Sequence, residues 1–286
     1  MVTQLLVGCI AVALHVVVAW HGRRLATARG ISEAVQLAVL PRPPGRVGPF
    51  RIAARYEAAE ADALIGGDLY VVQETPFGVR MLVGDVRGKG TQAVRAVAHT
   101  IGVFREAAEQ QVHLTAVAGR LDHAVRRGAR LAEGPAATEG FVTAVLVELD
   151  AGQGLVRVVN CGHPGPLLLT PGPPRRVEVV EPRTASLPLG MGDLGGDPSG
   201  PPEAVEVPFP PGATLLAFTD GLNEARDRDG TFFDPVAALR NHSFSSPDDL
   251  LDTLLDAVYR HTNGRQADDL ALLAVTHGKG REHASR

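Results

Sequence analysis

Cysteine is almost missing from this chain. The two present, Cys9 and Cys161, lie far apart, which excludes a zinc knuckle and a disulfide-built scaffold. Lysine is equally rare: Lys89 and Lys279 stand alone, and all other basic residues are arginine. Positive charge is not in excess, because 28 basic residues face 32 acidic ones for a net charge of −4. That balance speaks against a nucleic-acid binder. No GxSxG elbow occurs, and Cys161 has no His-Asn setting, so a side-chain nucleophile for hydrolysis has little support. There is no internal repeat. What the chain does have is apolar mass. Its 286 residues are 45% hydrophobic and 21% charged, enough for one large domain with or without an appendage, and too apolar for general disorder.

The first segment stands apart. Leu5 to Trp20 carries no charge and one histidine, His15, and is followed by Arg23-Arg24. This run alone would span about 24 Å as a helix, short of the ~30 Å hydrocarbon core, but Met1 to Gln4 lengthen it enough to cross. A secretory signal carries its positive charge before the apolar stretch; here the charge follows. The expectation is a membrane helix over residues 1–24, with the N-terminus outside and the rest of the chain cytoplasmic. A packing helix that meets a partner is the alternative. Leu25, Ala28, Ile31, Val35 and Val39 give residues 25–40 a helical stripe, and Pro41, Pro43 and Pro44 end it. Residues 25–49 therefore read as a juxtamembrane helix and a stiff linker, and a helix of this kind can pair in a homodimer.

From Phe50 the pattern changes. Strand-like runs begin at Phe50, Gly66, Val79, Phe141, Gly154, Gly165, Ala213 and Leu270. Two helical stretches lie between Thr91 and Leu131, broken near Gln111 to His113, and a third covers Pro247 to Thr262. Strands cluster and helices come in blocks, which predicts an α+β domain over 50–277 rather than a doubly wound sheet. Asp193 to Pro211, dense in Gly, Pro and acid, reads as a long surface loop, and 278–286 as a disordered tail.

Several apolar runs finish or open on acid. MLVGD ends at Asp85, LLAFTD at Asp220 and LIGGD at Asp68, while Asp268-Asp269 leads into LALLAV. An acid at the mouth of a buried strand is costly unless it is paired, hydrogen-bonded or bound to a metal. Each has a plainer explanation alone: Asp220-Gly221 suits a turn, and Asp68 and Asp85 could satisfy loop amides. Four together point to a cation. Oxygen donors without a Cys or His cluster suit Mg²⁺ or Mn²⁺, and two such ions would make a hydrolytic site.

The nearby VGDVRGKGT (83–91) is not a phosphate-binding P-loop, since three residues separate Gly84 from Gly88 and Gly90 follows Lys89. Lys89 reads either as a phosphate contact or as a solvated loop charge, and the second is preferred. His163, in NCGHPGP, reads as a loop brace rather than an acid or base.

In order along the chain stand VQLAVLP (35–41), ARY (54–56), GGDLY (66–70), VGDVRGKG (83–90), NCGHPGPLLL (160–169), PLGMG (188–192), FTDGLNEAR (218–226) and DDLALLAV (268–275). This set resembles the SpoIIE-like bacterial branch of the metal-dependent, type 2C-like (PPM) protein serine/threonine phosphatases. The resemblance implies a central antiparallel β-sandwich flanked by helices. It implies two Mn²⁺ or Mg²⁺ ions and attack of a metal-bound hydroxide on phosphoserine or phosphothreonine. Carried over by motif, the metal positions are Asp68, Asp85, Val86 through its carbonyl, Asp220 and Asp268, with Asp269 beside it. The implied substrate is a phosphorylated anti-sigma-factor antagonist. Two places depart from the pattern: Val71 stands where a second Asp is common, and Ala271 where Thr is common. No counterpart of a phosphate-binding arginine is evident; Arg55 and Arg87 are candidates. A catalytically weak phosphatase-like signalling or dimerisation module is the alternative function.

Overall fold

A computed structural model describes residues 40, 42–59, 66–131, 140–172, 175–192, 202–240, 242–266 and 268–278. The expected membrane helix 1–24 and the helix 25–40, its last residue apart, lie outside these residues. Among the described residues, no helix is long and apolar enough to cross a membrane.

Two antiparallel sheets carry the fold. One has six strands in the order β1 (Arg46–Val47), β2 (Phe50–Glu57), β11 (Leu270–His277), β10 (Thr214–Phe218), β7 (Leu167–Thr170) and β8 (Arg176–Val179). The other has five: β3 (Asp68–Thr75), β4 (Gly78–Val86), β5 (Val142–Asp150), β6 (Leu155–Cys161) and β9 (Ala204–Pro208). Helices α1 (Thr91–Gln110) and α2 (Leu114–Leu131) cover the five-stranded sheet. The short α3 (Pro235–Arg240) and α4 (Pro247–Thr262) lie on the six-stranded one, α3 beside β8 and α4 across β2 and β11. The α+β class read from the residue pattern is present, as are the two antiparallel sheets with helices that the resemblance implies.

Strand burial explains the layering. Strand β11 is buried at every position, because one of its faces meets the opposite sheet and the other meets α4. Helix α1 buries Ala93, Val97, Ile101, Phe104 and Ala108, a stripe at helical spacing. Helix α4 starts as its sequence suggests: the Ser246 side chain accepts the Asp249 N–H, Pro247 opens the first turn, and Asp248 and Asp249 face the helix N-terminus. It ends at Asn263 in the left-handed region, φ 55.

A charged row crosses the five-stranded sheet on its helix side. Arg80, Glu148, Arg157 and Glu206 are register partners on four successive strands. Arg80 is 0% exposed. It pairs with Glu148 and donates to the carbonyls of Ala108 (2.8 Å), Gln111 (2.5 Å) and Val112 (2.8 Å) at the end of α1. Those carbonyls have no partner within the helix, so the buried guanidinium caps it.

Two features differ from expectation, and both concern edges. Ala204–Pro208, within the stretch read as surface loop, is the edge strand β9, paired with β6. An edge strand tolerates Pro208, because the outer amide needs no ladder partner. The packed unit also begins before Phe50: Leu40 is 1% exposed, and β1 lies in the stretch expected to be linker.

Candidate metal centre

Strand pairing places the first two carboxylates. Asp68 and Asp85 are register partners on β3 and β4, brought together by the tight Thr75–Gly78 turn. The next residue in the row is Thr143 on β5, opposite Asp85. Asp85 shares the alternation of Met81 and Val83, so its side chain leaves the face away from the helices, toward the second sheet. Across that gap, Asp220 stands two residues past the end of β10. Carboxylate oxygens of Asp68, Asp85 and Asp220 all lie within 4.8 Å of one another.

Two close approaches need glycine. A Cβ on Gly66 would fall 1.6 Å from an Asp269 carboxylate oxygen, and one on Gly67 would fall 2.0 Å from the Val86 carbonyl oxygen. The Gly66-Gly67 pair therefore lets the chain before Asp68 lie against both acidic loops. Gly221 does the same on the other sheet, where a Cβ would stand 2.0 Å from the Asp269 carbonyl oxygen.

The electrostatics are those of crowded acids. Asp68 is 3% exposed, and its carboxyl is raised well above the usual range, by burial first and by Asp85 next. Asp85 is pushed up to about 7 by burial, then by Asp220, Asp268 and Asp269, with Lys89 acting against the shift. Asp220 is raised by burial and by Asp268 and Glu224. Each carboxylate resists ionising beside the others.

Asp268 does not join the close group. It is exposed, and its carboxylate accepts the Asp269 N–H at 2.9 Å. Its charge still acts on Asp85 and Asp220, which puts it on the same rim. Asp269 is buried and turned inward, accepting the Ala59 N–H at 2.9 Å and the Tyr56 hydroxyl. Val86 is buried, and its N–H donates to the Gly67 carbonyl at 3.0 Å. Lys89 is exposed on the loop after Asp85, and its charge lowers the proton affinity of Asp85 and Asp269. Arg55 is engaged elsewhere, with Asp248 at 3.3 Å and Asp252 at 2.8 Å on α4. The Arg87 guanidinium lies over the Phe141 ring, 5.3 Å from its centre. Val71 is fully buried in the core, where a second aspartate would be desolvated.

Sequence reasoning assigned no role to Thr219, Thr143, Tyr56 or Asn160. Thr219 is 0% exposed and donates its hydroxyl to Asp68 Oδ2 at 2.6 Å. His163 is buried and braces its loop as expected, with Nε2 3.0 Å from the Phe218 carbonyl and Nδ1 3.0 Å from the Thr143 hydroxyl. Burial pushes its imidazole down to about 3, so it is neutral at working pH and is no proton store. Cys161 is buried and its thiol is pushed up to about 12, chiefly by desolvation, which makes it inert.

The family model described as stage II sporulation protein E (SpoIIE) matches residues 75–278, more than half of the chain. The chain belongs to the SpoIIE family of PPM-type serine/threonine phosphatases. Solved structures share its fold. The SiaA-PP2C domain of Pseudomonas aeruginosa is 21% identical with a TM-score of 0.66, over 90% of this chain and 97% of that one. The RsbU and RsbW domains of a Mycobacterium tuberculosis protein are 24% identical with a TM-score of 0.62, over 80% of this chain and 60% of that one. The PP2C phosphatase domain of SpoIIE from Bacillus subtilis, with a fragment of its regulatory domain, is 16% identical with a TM-score of 0.61, over 81% and 64%. This SpoIIE-family chain thus spans less than two thirds of two of the structures it matches.

Proposed function

We propose that the protein hydrolyses phosphoserine or phosphothreonine on a regulatory protein, using two Mn²⁺ or Mg²⁺ ions held by Asp68, Asp85, Asp220, Asp268 and the Val86 carbonyl. The observation that carries this is the meeting of three carboxylates from two sheets within 4.8 Å. Burial and mutual repulsion raise the proton affinity of all three, so the ionised group calls for compensating positive charge. The close group is oxygen-only, which fits a hard divalent cation. Bound ions of this kind supply a polarised water and neutralise charge building on phosphorus.

The chain's own residues do the positioning. Register between β3 and β4 fixes Asp68 against Asp85, and Thr219 orients Asp68. Lys89, exposed on the loop after Asp85, tempers the charge of the group. The substrate is a phosphorylated anti-sigma-factor antagonist. Family membership and the joining of RsbU and RsbW domains in the similar Mycobacterium tuberculosis structure support a partner of that regulatory kind. Residues 1–24 tether the chain to the cell membrane with the phosphatase domain cytoplasmic, and a homodimer can form through 25–40. No nucleic-acid partner is proposed.

The test is phosphate release by the full chain from a phosphoserine peptide and from p-nitrophenyl phosphate, with Mn²⁺, with Mg²⁺ and with EDTA. Activity should need the cation and fall by orders of magnitude in Asp85→Asn and Asp220→Asn, with the circular dichroism unchanged. Full activity in excess EDTA, or in both variants, overturns the proposal.

A further inference from the structure

The candidate centre is assembled from two sheets that share no backbone ladder. Asp68 and Asp85 are held at a fixed spacing by strand pairing. Asp220 belongs to the opposite sheet. Stacked sheets are spaced by side-chain packing, which tolerates small sliding far better than a hydrogen-bonded ladder does. Something local must therefore set the distance between Asp220 and the other pair.

Two polar bridges cross at this point. In the first, Thr219 Oγ1 accepts the Ala271 N–H at 2.8 Å and donates to Asp68 Oδ2 at 2.6 Å. Its own N–H donates to the Ala271 carbonyl at 3.0 Å, so the threonine is fixed to β11 on both sides. The Ala271 N–H fixes the orientation of Oγ1, and the hydroxyl proton goes to the Asp68 carboxylate, which when ionised can only accept. In the second, the Phe218 carbonyl can only accept, so His163 Nε2 carries the proton. Nδ1 is then the acceptor, and the Thr143 hydroxyl donates to it at 3.0 Å. Asn160 holds the His163 backbone from both sides, donating to its carbonyl at 2.7 Å and accepting its N–H at 2.8 Å.

The placement of these bridges is specific. Asp68, Asp85 and Thr143 form one register row, and the bridges take its two outer members. Their other ends fall on Phe218 and Thr219, the two residues before Asp220. Asp85, in the middle of the row, is thus flanked by both. We infer that Thr219 and His163 are positioning residues forming a cross-sheet latch that sets the spacing of Asp220 from Asp68 and Asp85, and with it the affinity of the site for its cations. This rests on the phosphatase proposal for the same site.

The experiment compares the full chain with Thr219→Val, Thr219→Ser and Thr143→Val. Valine keeps the shape and removes the hydroxyl; serine restores it. The control is Thr214→Val, which breaks the buried 2.9 Å Thr214–Thr276 hydroxyl pair at the far end of β10, the strand that leads to Thr219. Mn²⁺ binding is measured by calorimetry, melting in EDTA, and kcat and KM at saturating Mn²⁺. Thr219→Val should weaken Mn²⁺ binding at least tenfold and lower kcat with KM little changed. Thr143→Val should move both the same way by a smaller factor, and Thr219→Ser should stay within about threefold of wild type. Thr214→Val should melt lower yet bind Mn²⁺ as wild type does. Unchanged Mn²⁺ binding in Thr219→Val overturns the latch, as does failure of the serine to rescue. Equal weakening in Thr214→Val also overturns it, because the loss would then follow general destabilisation. If the wild-type chain itself binds no Mn²⁺ or Mg²⁺, the phosphatase proposal falls, and the latch falls with it.

Discussion

Replacing Asp85 with Asn should make the metal-free protein more stable at pH 8 while abolishing its metal-dependent activity. In the folded state Asp85 is pushed up to about 7, by burial and then by Asp220, Asp268 and Asp269. In the unfolded chain an aspartate titrates near 4. The folded state therefore holds this proton more tightly. Its contribution to stability is fully present below about pH 4 and is lost as pH rises through 7. About three pH units at 1.36 kcal/mol each put the loss at roughly 4 kcal/mol, an upper figure, since local rearrangement and water relieve part of it. Asparagine never ionises and escapes this cost. For a domain of this size each kcal/mol moves the melting temperature by about 2–4 °C, so in EDTA at pH 8 the variant should melt on the order of 5–15 °C above wild type. At pH 4 the two should nearly coincide. Adding Mn²⁺ at about 100 times its Kd should raise wild type by about 2.7 kcal/mol and leave the variant nearly unmoved. Calorimetry at pH 4, 6 and 8, in EDTA and in Mn²⁺, reads all of this from the difference between two proteins. An Asp85→Asn variant that melts at or below wild type in EDTA at pH 8 would refute the reasoning.

Other outcomes follow from other parts of the structure. Arg80→Met leaves Glu148 with Arg157 alone and unpairs the carbonyls of Ala108, Gln111 and Val112 at the end of α1, and should cost about 3–5 kcal/mol in urea unfolding. A loss under 1 kcal/mol would mean that the row tolerates the gap. Gly66→Ala puts a methyl group 1.6 Å from an Asp269 oxygen, so calorimetry should show weakened Mn²⁺ binding, with circular dichroism near wild type. The uncharged run before Arg23-Arg24 should keep the full chain in the membrane fraction through a carbonate wash, and recovery in the soluble fraction without detergent would favour a packing helix.

The acids at strand ends could be read from the sequence because the local cost is visible there: an Asp closing MLVGD or LLAFTD needs a partner whatever the fold. The two helices between Thr91 and Leu131 were legible for a local reason too, their periodicity, and the one at Pro247 from its proline and paired acids. What stayed hidden depends on register. Thr219 looks like the residue before an aspartate until β11 is placed beside it and Asp68 across from it. Arg80 sits inside the apolar run VRMLV, and its match to Glu148, 68 residues away, exists only once β4 and β5 are aligned. Strand β9 was concealed by prolines that are compatible with an edge and with little else in a sheet.

The five-stranded sheet carries two polar rows, and their contrast bears on the site. In the row through Arg80, Glu148, Arg157 and Glu206, charges alternate strand by strand, so each acid lies beside a base. That is how an interior usually tolerates ions. The row through Asp68, Asp85 and Thr143 contains two acids and no base, and the residue brought against it from the other sheet is a third acid, Asp220. Lys89 tempers the charge from an exposed loop but is not in the row. The same sheet therefore neutralises its acids within one row and concentrates them in the other. Concentrated acid of this kind lowers stability in the metal-free state, which is the effect the Asp85→Asn measurement isolates. Such a cost is expected where function, not folding, sets the residues. The chemistry that repays it is a cation from solution, and the latch through Thr219 and His163 would hold the two sheets at the spacing that cation requires.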